Sequence, residues 1–394
     1  MSFPIGYFKL HKDVSMNFQL NRWFSWVGEQ EMLTEMGTAA TIIKDYNDWK
    51  REFLALAELS LQKNHFKRSA YYYRCAEFFM KADDPDRAIA RQKFLTLMSK
   101  IYDQDQFEKY QIPYQLGERS VSLPAYLFET KEPPKNTILF FGGFDSYIEE
   151  LFPAFLLLQS SGFKIIAFEG PGQGAVLENK VSMTPDWEQP VKAVLDYFEL
   201  NDVTAIGLSL GGCLVIRAAA KEKRINRVVA FDILTDFYTV NLRQVKPIVR
   251  RILTLLIRAR QKAIVNALIS RVQRKSPVSE WGIQLGMRVT GTSTPYEFIR
   301  RLQDFETKTV SHLVTQDVLL LAGSEDHYVP TEQFYDQITL LKNVRSVTAR
   351  LFTQFENASN HCQAGNYELA FRTIMMWMDD LNARDKSGEK YDKK

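Results

Sequence analysis

The first residues with a potential chemical role lie in the hexapeptide Gly-Leu-Ser-Leu-Gly-Gly at 207–212. A short apolar run at 203–206 precedes it, and a run compatible with a helix follows at 213–220. A serine flanked by glycines in such a strand–turn–helix context is typical of a nucleophile held in a strained turn. Gly207 and Gly211 would let the strand and helix approach closely, because glycine lacks a Cβ atom. The alternative is a glycine-rich turn with an idle serine.

A nucleophilic serine needs a base and an acid from elsewhere in the chain. Its hydroxyl is not ionised at neutral pH, so a histidine must take the proton and a carboxylate must hold that histidine. In strand–turn–helix sites of this kind the chain order is serine, acid, histidine. His327 and His361 lie late enough to serve, whereas His312 lies at the end of a long insertion between two predicted strands.

Asp326 is the predicted acid. It follows the apolar run at 318–322, which is typical of a buried strand, and lies in Gly-Ser-Glu-Asp-His-Tyr-Val-Pro at 323–330. An acid just past the carboxyl end of this strand is expected beside the serine turn, because parallel strands end at the same sheet edge. Glu325 is the fallback acid, and a solvent-exposed loop acid without a catalytic role is the structural alternative.

His361 is the predicted base. It lies in a loop after the last predicted strand, at 346–352, and before the last predicted helix, at 365–382. This position places the imidazole over the sheet edge where Ser209 and Asp326 are expected. His327, next to the acid, is predicted to line the pocket or the surface instead.

Two backbone N–H groups are needed to stabilise the oxyanion that forms when a serine attacks a carbonyl. One is predicted at Leu210, directly after the serine. The other is predicted at Phe144, because the apolar strand at 136–141 runs into Gly142-Gly143-Phe144. The two glycines could instead form a plain turn, but four features occur in the order that this chemistry requires.

The elements that would position these residues change in character near residue 112. Helical periodicity predicts an all-helical domain over 1–112. Short apolar strands alternate with helices over 113–384, which predicts an α/β domain with a mostly parallel sheet and helices on both faces. The excess length between the strands at 227–231 and 317–322 predicts a helical cap inserted at about 237–313.

The predicted cap contains a long basic segment. Residues 237–279 include no Asp or Glu. Basic residues recur there among aliphatic ones, at Arg243, Lys246, Arg250, Arg251, Arg258, Arg260, Lys262, Arg271, Arg274 and Lys275. We favour an amphipathic cap helix with a solvated basic face. The alternative is a surface for an anionic partner, such as a lipid surface, an acidic carrier protein or an anionic substrate.

Composition and charge narrow the class of protein further. The 394 residues are 45% hydrophobic and 25% charged, as in ordinary globular proteins, and a net charge of +3 does not indicate a nucleic-acid partner. No apolar stretch approaches the ~20 residues that span a bilayer, and we expect no signal peptide. Three scattered cysteines favour a reducing cytoplasm, and no metal site or cofactor is expected. The tail at 385–394 is predicted to be disordered.

Several motifs carry a resemblance to a known family. They are Phe-Glu-Gly-Pro-Gly-Gln-Gly at 168–174, Asp-Trp-Glu at 186–188, Arg-Ala-Ala-Ala at 217–220 and His-Cys-Gln-Ala-Gly-Asn at 361–366, with the glycine pair at 142–143 and the serine turn. Together they resemble a subfamily of α/β-hydrolases with an N-terminal helical domain. It includes 2,6-dihydroxypseudooxynicotine hydrolase and fungal pigment enzymes that shorten a polyketide. The resemblance covers nearly the whole chain and implies the α/β-hydrolase fold.

The resemblance also implies a reaction. Known members cleave carbon–carbon bonds next to a carbonyl, and some relatives act as esterases. Carried over by motif, Ser209 is the nucleophile, Asp326 the acid and His361 the base. The pyridine-type hydrolase uses an additional acidic residue in its pocket, for which the candidates here are Asp145, Asp232 and Asp236.

We therefore expect a serine hydrolase that acts on a small carbonyl substrate through an acyl-enzyme. The expected reaction is carbon–carbon bond cleavage of a ketone or polyketide-type molecule. The alternatives are a carboxylesterase and a non-catalytic binding protein whose basic cap contacts an acidic partner. The aromatic helical domain could also bury a homodimer interface. A peptidase is disfavoured, because prolyl peptidases of this fold commonly carry a β-propeller instead of helices.

Overall fold

One sheet of eight strands organises the described part of the chain. The structure is a computed structural model that describes residues 3–102, 106–243, 245–274 and 277–391. The strands are β1 (Glu108–Leu116), β2 (Arg119–Phe128), β3 (Thr137–Phe141), β4 (Lys164–Phe168), β5 (Val203–Leu208), β6 (Ile225–Phe231), β7 (Asp317–Gly323) and β8 (Ser346–Phe352). Their order in the sheet is β1-β2-β4-β3-β5-β6-β7-β8.

The strands from β4 to β8 are parallel to one another, and β2 runs antiparallel to both of its neighbours, β1 and β4. The central strands are continuous apolar runs, as expected for strands covered on both faces. Alternate residues enter different cores: Ile138 and Phe140 of β3 pack with the N-terminal helices, whereas Leu139 and Phe141 pack on the opposite face. The predicted fold class, a mostly parallel sheet with helices on both faces, is confirmed.

Five helices form an N-terminal layer in the described residues. They are α1 (Val14–Val27), α2 (Gln30–Ile42), α3 (Tyr46–Gln62), α4 (Phe66–Phe78) and α5 (Pro85–Ile101). Trp23, Trp49 and Phe53 are completely buried in this layer. Helix α5 begins at Pro85, with the Asp84 side chain accepting a hydrogen bond from the Asp86 N–H at its start.

The predicted boundary at residue 112 is wrong in detail, because it divides β1. Pro113 looks like a break in the sequence but lies inside this strand, opposite Ser122 of β2. An edge strand tolerates proline, since one side of its backbone needs no partner. The antiparallel pair β1–β2 therefore begins the sheet before the predicted boundary.

Further helices flank the sheet. They are α6 (Phe152–Ser160), α7 (Gly174–Glu178), α8 (Glu188–Tyr197), α9 (Leu210–Lys221), α15 (Thr331–Leu340) and α16 (Tyr367–Tyr391). Helix α16 continues past residue 384, so the predicted disorder is wrong for 385–391, whereas 392–394 lie outside the described residues. Arg227 of β6 holds this end of α16 through Asn382 and Asp385.

The cap segment between β6 and β7 is helical. It contains α10 (Phe237–Asn241), α11 (Pro247–Arg258), α12 (Lys262–Gln273), α13 (Pro277–Thr290) and α14 (Pro295–Arg301). Two hydrogen bonds to cap carbonyls tie it to the α/β body: the Met183 N–H donates to the Val289 carbonyl, and the Arg217 guanidinium donates to the Glu306 carbonyl. No helix among the described residues has the length and apolar character needed to cross a membrane.

The three cysteines are unpaired and buried in different parts of the molecule. Cys75 lies in α4, Cys213 in α9, and Cys362 in the loop before α16. Burial raises the pKa of the Cys213 thiol to about 12 and also raises the pKa of the Cys75 and Cys362 thiols.

Candidate active site

Ser209 occupies a strained turn between β5 and α9. Its backbone angles are φ 61° and ψ −122°, a conformation that costs free energy in a non-glycine residue. A Cβ atom on Gly207 would collide with the Gly211 carbonyl, and one on Gly212 would collide with the Asp232 carbonyl. A Cβ atom on Gly211 would lie 2.7 Å from the Gly142 carbonyl oxygen. The small residues around Ser209 are therefore required by the close approach of strand, helix and neighbouring loop.

Ser209, His361 and Asp326 form a continuous hydrogen-bonded chain. The Ser209 Oγ lies 2.8 Å from His361 Nε2, and His361 Nδ1 lies 2.6 Å from Asp326 Oδ2. The second oxygen of Asp326 accepts the N–H groups of Tyr328 and Val329. Ser209 follows β5, Asp326 follows β7 and His361 follows β8, so all three side chains lie at the carboxyl edge of the sheet. This geometry lets His361 take a proton from Ser209 while Asp326 fixes the imidazole.

The charges around these three hydrogen-bonded side chains favour an imidazolium at His361. Burial by itself lowers the pKa of His361, but the Asp326 carboxylate outweighs it and raises that pKa well above its usual 6.5. Burial works against ionisation of Asp326 as well, yet attraction to His361 lowers its pKa to about 2. A proton that moves from Ser209 to His361 would therefore be stabilised by a permanently ionised neighbour.

Asp232 lies against the same histidine. Its Oδ2 is 3.5 Å from His361 Nδ1 and accepts the Cys362 N–H at 3.1 Å. Burial raises the pKa of Asp232 to about 7, and its hydrogen bond to Asp326 acts in the same direction. Below that pH Asp232 is protonated and shares its proton with Asp326. Of the three candidate extra acids, this one contacts the histidine.

The other two candidate acids have different surroundings. Asp145 lies beside Phe144 and forms an ion pair with Arg22 at 3.1 Å. Asp236 accepts the Thr239 N–H at the start of α10 and pairs with Lys308. The fallback acid Glu325 accepts the Ser359 hydroxyl and does not contact His361.

The loop after β3 is packed against the serine turn. A Cβ atom on Gly143 would lie 2.9 Å from the Ser209 Cβ and 3.0 Å from the Leu210 nitrogen. The Gly143 N–H donates to the Ser146 hydroxyl. Within the described part of the chain, the N–H groups of Phe144 and Leu210 have no acceptor. Leu210 also begins α9, whose N-terminal dipole favours negative charge.

Gln173 fixes the loop after β3 through hydrogen bonds to its backbone. Its amide nitrogen donates to the Gly142 carbonyl at 2.6 Å and to the Gly143 carbonyl at 3.2 Å, and its amide oxygen accepts the Gly170 N–H. Gln173 is buried. The motif at 168–174 is visible in the sequence, but the role of its glutamine depends on a contact with a loop thirty residues away.

A buried charge cluster joins the N-terminal layer to the same loop. Glu150 is completely buried and binds both Arg22 of α1 and Arg74 of α4. Arg74 also binds Glu77 at 2.7 Å and donates to the Asp145 carbonyl at 2.7 Å. Sequence analysis missed this cluster, because its members are far apart in the chain and arginine and glutamate are usually exposed.

The walls of the site come from the N-terminal layer and the cap. The ring of Phe18 in α1 lies 6.0 Å from that of His361 and 4.8 Å from that of His327, by centroid. His327 therefore lines the site, and burial lowers its pKa to about 4. Phe144 packs edge-on against Phe237 of α10. A cleft beside Phe144 and Asp145 extends between α4 and α13, although Ser209 and His361 do not line it.

Three potential metal ligands also meet here. The donor atoms of Asp232, His361 and Cys362 lie within 4.8 Å of one another. However, His361 Nδ1 is already bonded to Asp326, and burial keeps the Cys362 thiol protonated by raising its pKa. We therefore interpret Asp232 and Cys362 as residues that hold His361 in place, and not as metal ligands.

Comparison with curated proteins gives relatives named as hydrolases. Hydrolase acrC of Aspergillus aculeatus is 25% identical over 348 residues, which is 80% of each chain. Hydrolyase poxO of Penicillium oxalicum is 28% identical over 267 residues, or 61% of each chain. Alpha/beta hydrolase ucsC of an Acremonium species is 34% identical over 243 residues, covering 49% of this chain and 48% of the relative. No family model matches the chain.

Solved structures extend the likeness to nearly the full length. The protein AbyA5 aligns with a TM-score of 0.66 at 18% identity, covering 94% of this chain and 95% of its own. The strand order and these solved structures give the chain the α/β-hydrolase fold. Its curated relatives are named as hydrolases, and its enzyme class is hydrolase. In particular, it resembles 2,6-dihydroxy-pseudo-oxynicotine hydrolase, with a TM-score of 0.61 at 19% identity over 92% of this chain and 94% of that one. The predicted resemblance is thus confirmed.

Proposed function

We propose that the chain is a serine hydrolase that cleaves a carbon–carbon bond next to a carbonyl group through an acyl-enzyme. The observation that carries the serine chemistry is the hydrogen-bonded chain from Ser209 Oγ through His361 to Asp326, with distances of 2.8 and 2.6 Å. Its substrate would be a ketone or polyketide-type small molecule.

In the first step, Ser209 Oγ attacks the carbonyl carbon and His361 Nε2 takes the hydroxyl proton. The carbonyl oxygen becomes an oxyanion, which the N–H groups of Leu210 and Phe144 would bind. Each such donor is worth about 3 kcal/mol in the barrier. Asp326 compensates the charge of the imidazolium that forms.

In the second step, the tetrahedral intermediate collapses and the bond to the leaving group breaks. For a β-diketone the leaving group is an enolate, and His361 returns the proton to it to give a neutral ketone. Water then attacks the acyl-enzyme, with His361 as base, to release a carboxylic acid and restore Ser209.

Two observations support carbon–carbon cleavage. The N-terminal layer contributes Phe18 directly to the wall of the site, and a helical layer with this sheet also occurs in the structure of 2,6-dihydroxy-pseudo-oxynicotine hydrolase, which the chain matches over 92% of its length. Apolar and aromatic walls suit an aryl ketone better than a peptide.

A carboxylesterase is the second candidate, and one observation favours it. The extra acids are engaged by the protein: Asp145 pairs with Arg22, and Asp232 supports the loop of His361. An ester needs no further acid, because its alkoxide leaving group requires only the proton carried by His361.

A fluorophosphonate probe tests the serine chemistry. We expect covalent labelling at Ser209, located by mass spectrometry of the labelled peptide. The Ser209→Ala variant should lose labelling, whereas Ser120→Ala, at an exposed serine of β2, should retain it. Absence of labelling in the wild type would favour the non-catalytic binding protein and refute the proposal.

Product analysis separates the two hydrolases. An aryl β-diketone should give a carboxylic acid and a ketone, and an aryl ester should give a carboxylic acid and a phenol. We expect turnover of the diketone. Turnover of esters alone, with Ser209 labelled, would leave a serine hydrolase but refute carbon–carbon cleavage. A homodimer and a cytoplasmic location stay predictions.

A further inference from the structure

The helices α11 and α12 expose large aliphatic side chains to solvent. A basic face in contact with water does not explain this exposure. Seven large aliphatic residues on these two helices are between 45% and 62% exposed. They are Ile248, Val249, Ile252 and Leu255 on α11, and Ile264, Leu268 and Val272 on α12. We call these residues, with the basic residues among them, the α11–α12 surface. Most of the basic residues are exposed, as the favoured expectation of a solvated basic face requires, but that expectation does not account for the exposed aliphatic residues.

The exposed aliphatic residues form stripes. At 3.6 residues per turn, Ile248, Ile252 and Leu255 fall within an arc of about 60° on α11, and the exposed residues of α12 fall within about 80°. The protein side of each helix is occupied by other residues, Leu253 and Ile257 on α11 and Val265 and Ile269 on α12. Each helix thus has one apolar side packed inward and a second apolar stripe facing outward.

The charges beside these stripes are all positive. No Asp or Glu occurs between residues 237 and 279. In the part of the chain that the structure describes, no basic side chain from Lys246 to Arg274 forms an ion pair with a carboxylate. Arg251 and Arg258 are exposed and flank the stripe of α11, and Arg271 and Arg274 flank that of α12. Lys275 lies outside the described residues.

We propose that the α11–α12 surface docks on an anionic lipid bilayer. Aliphatic stripes bordered by arginines are the signature of helices that lie in the membrane interface, where the side chains enter the acyl boundary and the cations bind headgroups. A second copy of the chain is a poorer partner, because an isologous contact would bring the same unpaired cations together without a carboxylate between them.

The position of this surface connects it to the site. The preceding helix α10 contributes Phe237, which packs against Phe144 of the loop after β3. Arg243, between α10 and α11, donates to the Asp326 carbonyl at 2.7 Å. Docking would therefore bring the wall of the site close to a lipid phase, where apolar molecules partition. Docking itself does not depend on the reaction that Ser209 performs.

Vesicle co-sedimentation tests the proposal. We expect the full chain to bind vesicles of phosphatidylcholine with phosphatidylserine more tightly than vesicles of phosphatidylcholine alone, and to bind less tightly as salt is added. The Arg251→Gln, Arg258→Gln double variant should weaken binding about 30-fold, since each basic residue near such a surface contributes roughly fivefold. The double variant Lys63→Gln, Lys131→Gln has the same net charge and should bind like the wild type.

The aliphatic stripe is tested separately. The Ile252→Asp, Leu255→Asp variant should lose vesicle binding, whereas Leu116→Asp, Met376→Asp changes two exposed apolar residues elsewhere and should not. Labelling of Ser209 by the fluorophosphonate probe should remain in all variants and shows that each is folded.

Two results would overturn docking on lipid. The first is no binding of the wild type to anionic vesicles at low salt, or binding that the cap variants leave unchanged. The second is self-association in analytical ultracentrifugation that Ile252→Asp, Leu255→Asp abolishes while vesicles remain unbound, which would assign the surface to a homodimer.

Discussion

The N-terminal layer and the α11–α12 surface are both rich in arginine, but they use its charge in opposite ways. In the N-terminal layer, Arg74 is 2% exposed and binds Glu77 and Glu150. On the α11–α12 surface, Arg251 and Arg258 are exposed and have no carboxylate partner in the described residues. Both regions are helical, so helical propensity does not explain the difference.

This difference in pairing distinguishes the helices that contribute to the active site from those that face outward. A buried arginine must be paired, because an isolated buried charge is very costly. The pairs of Arg22 and Arg74 end on the loop that carries Phe144, so the N-terminal layer fixes that loop. Unpaired surface arginines cost little and are free for a partner. The N-terminal layer is therefore part of the site, and the α11–α12 surface faces outward.

Arg74→Met should give the largest effect on stability. The substitution leaves Glu77 and Glu150 without this partner in a buried environment, so we expect a loss of about 3–5 kcal/mol in the free energy of unfolding. Urea denaturation followed by circular dichroism measures it. A loss below about 1 kcal/mol would show that the buried pairs do not hold the layer, and the contrast between the two regions would fail.

Gln173→Leu should have the next largest effect, and this effect is on catalysis. Without the amide, the Gly142 and Gly143 carbonyls lose a donor and the loop loses its fixed position, so we expect kcat to fall about 100-fold with KM little changed. The control is Gln261→Leu at an exposed position next to α12, which should keep wild-type kcat. Equal effects of the two substitutions would contradict a positioning role for Gln173.

Asp232→Asn should move the pH dependence more than the maximal rate. Asp232 raises the pKa of His361, and only neutral His361 can take the serine proton, so activity is lost as pH falls through that pKa. Removing the acid lowers the pKa, and the acid limb of kcat/KM should shift to lower pH. Asp236→Asn, at the start of α10, should leave the limb in place.

Asp232→Asn should also change the pH dependence of the free energy of unfolding. The folded pKa of Asp232 is about 7 against 3.8 unfolded, so the folded state binds more protons between these values and its stability falls as pH rises through them. Asp232→Asn removes this fall, because an amide does not titrate. The variant should therefore gain stability relative to the wild type from pH 4 to pH 7, as measured by urea denaturation. A constant difference across this range would contradict the raised pKa.

Arg251→Met should have the smallest effect. An exposed, unpaired arginine contributes little to folding, so the free energy of unfolding should stay within about 0.5 kcal/mol of the wild type. This is the same substitution as Arg74→Met, made in the other region. A loss of about 3 kcal/mol or more, the lower end of the range for a buried pair, would reveal a hidden partner for Arg251.

Local patterns carried much of the fold and of the candidate site. The turn around Ser209, the acid after one strand and the histidine after the next are each set by a few adjacent residues, and chain order then relates them. The central strands were predictable because burial on both faces makes them continuous apolar runs. Strand β1 was missed because Pro113 and its exposed, polar residues resemble a linker.

The remainder depends on contacts between distant segments. Arg22 and Glu150 are 128 residues apart, and nothing in either neighbourhood predicts a buried pair. Similarly, the helical periodicity of α11 predicts one buried face. The sequence does not show whether the second apolar stripe of this helix is covered by another part of the protein. Both features became visible only when tertiary packing was known.

The three buried cysteines have a further consequence. Cys75 belongs to the N-terminal layer, Cys213 to the helix behind Ser209, and Cys362 to the loop that carries His361. An alkylating reagent requires an exposed thiolate, so each cysteine reacts only when its own segment opens. The rates of alkylation at the three positions, read by peptide mass spectrometry, therefore give the order in which these segments open in the native chain. The protein carries its own reporters of local unfolding.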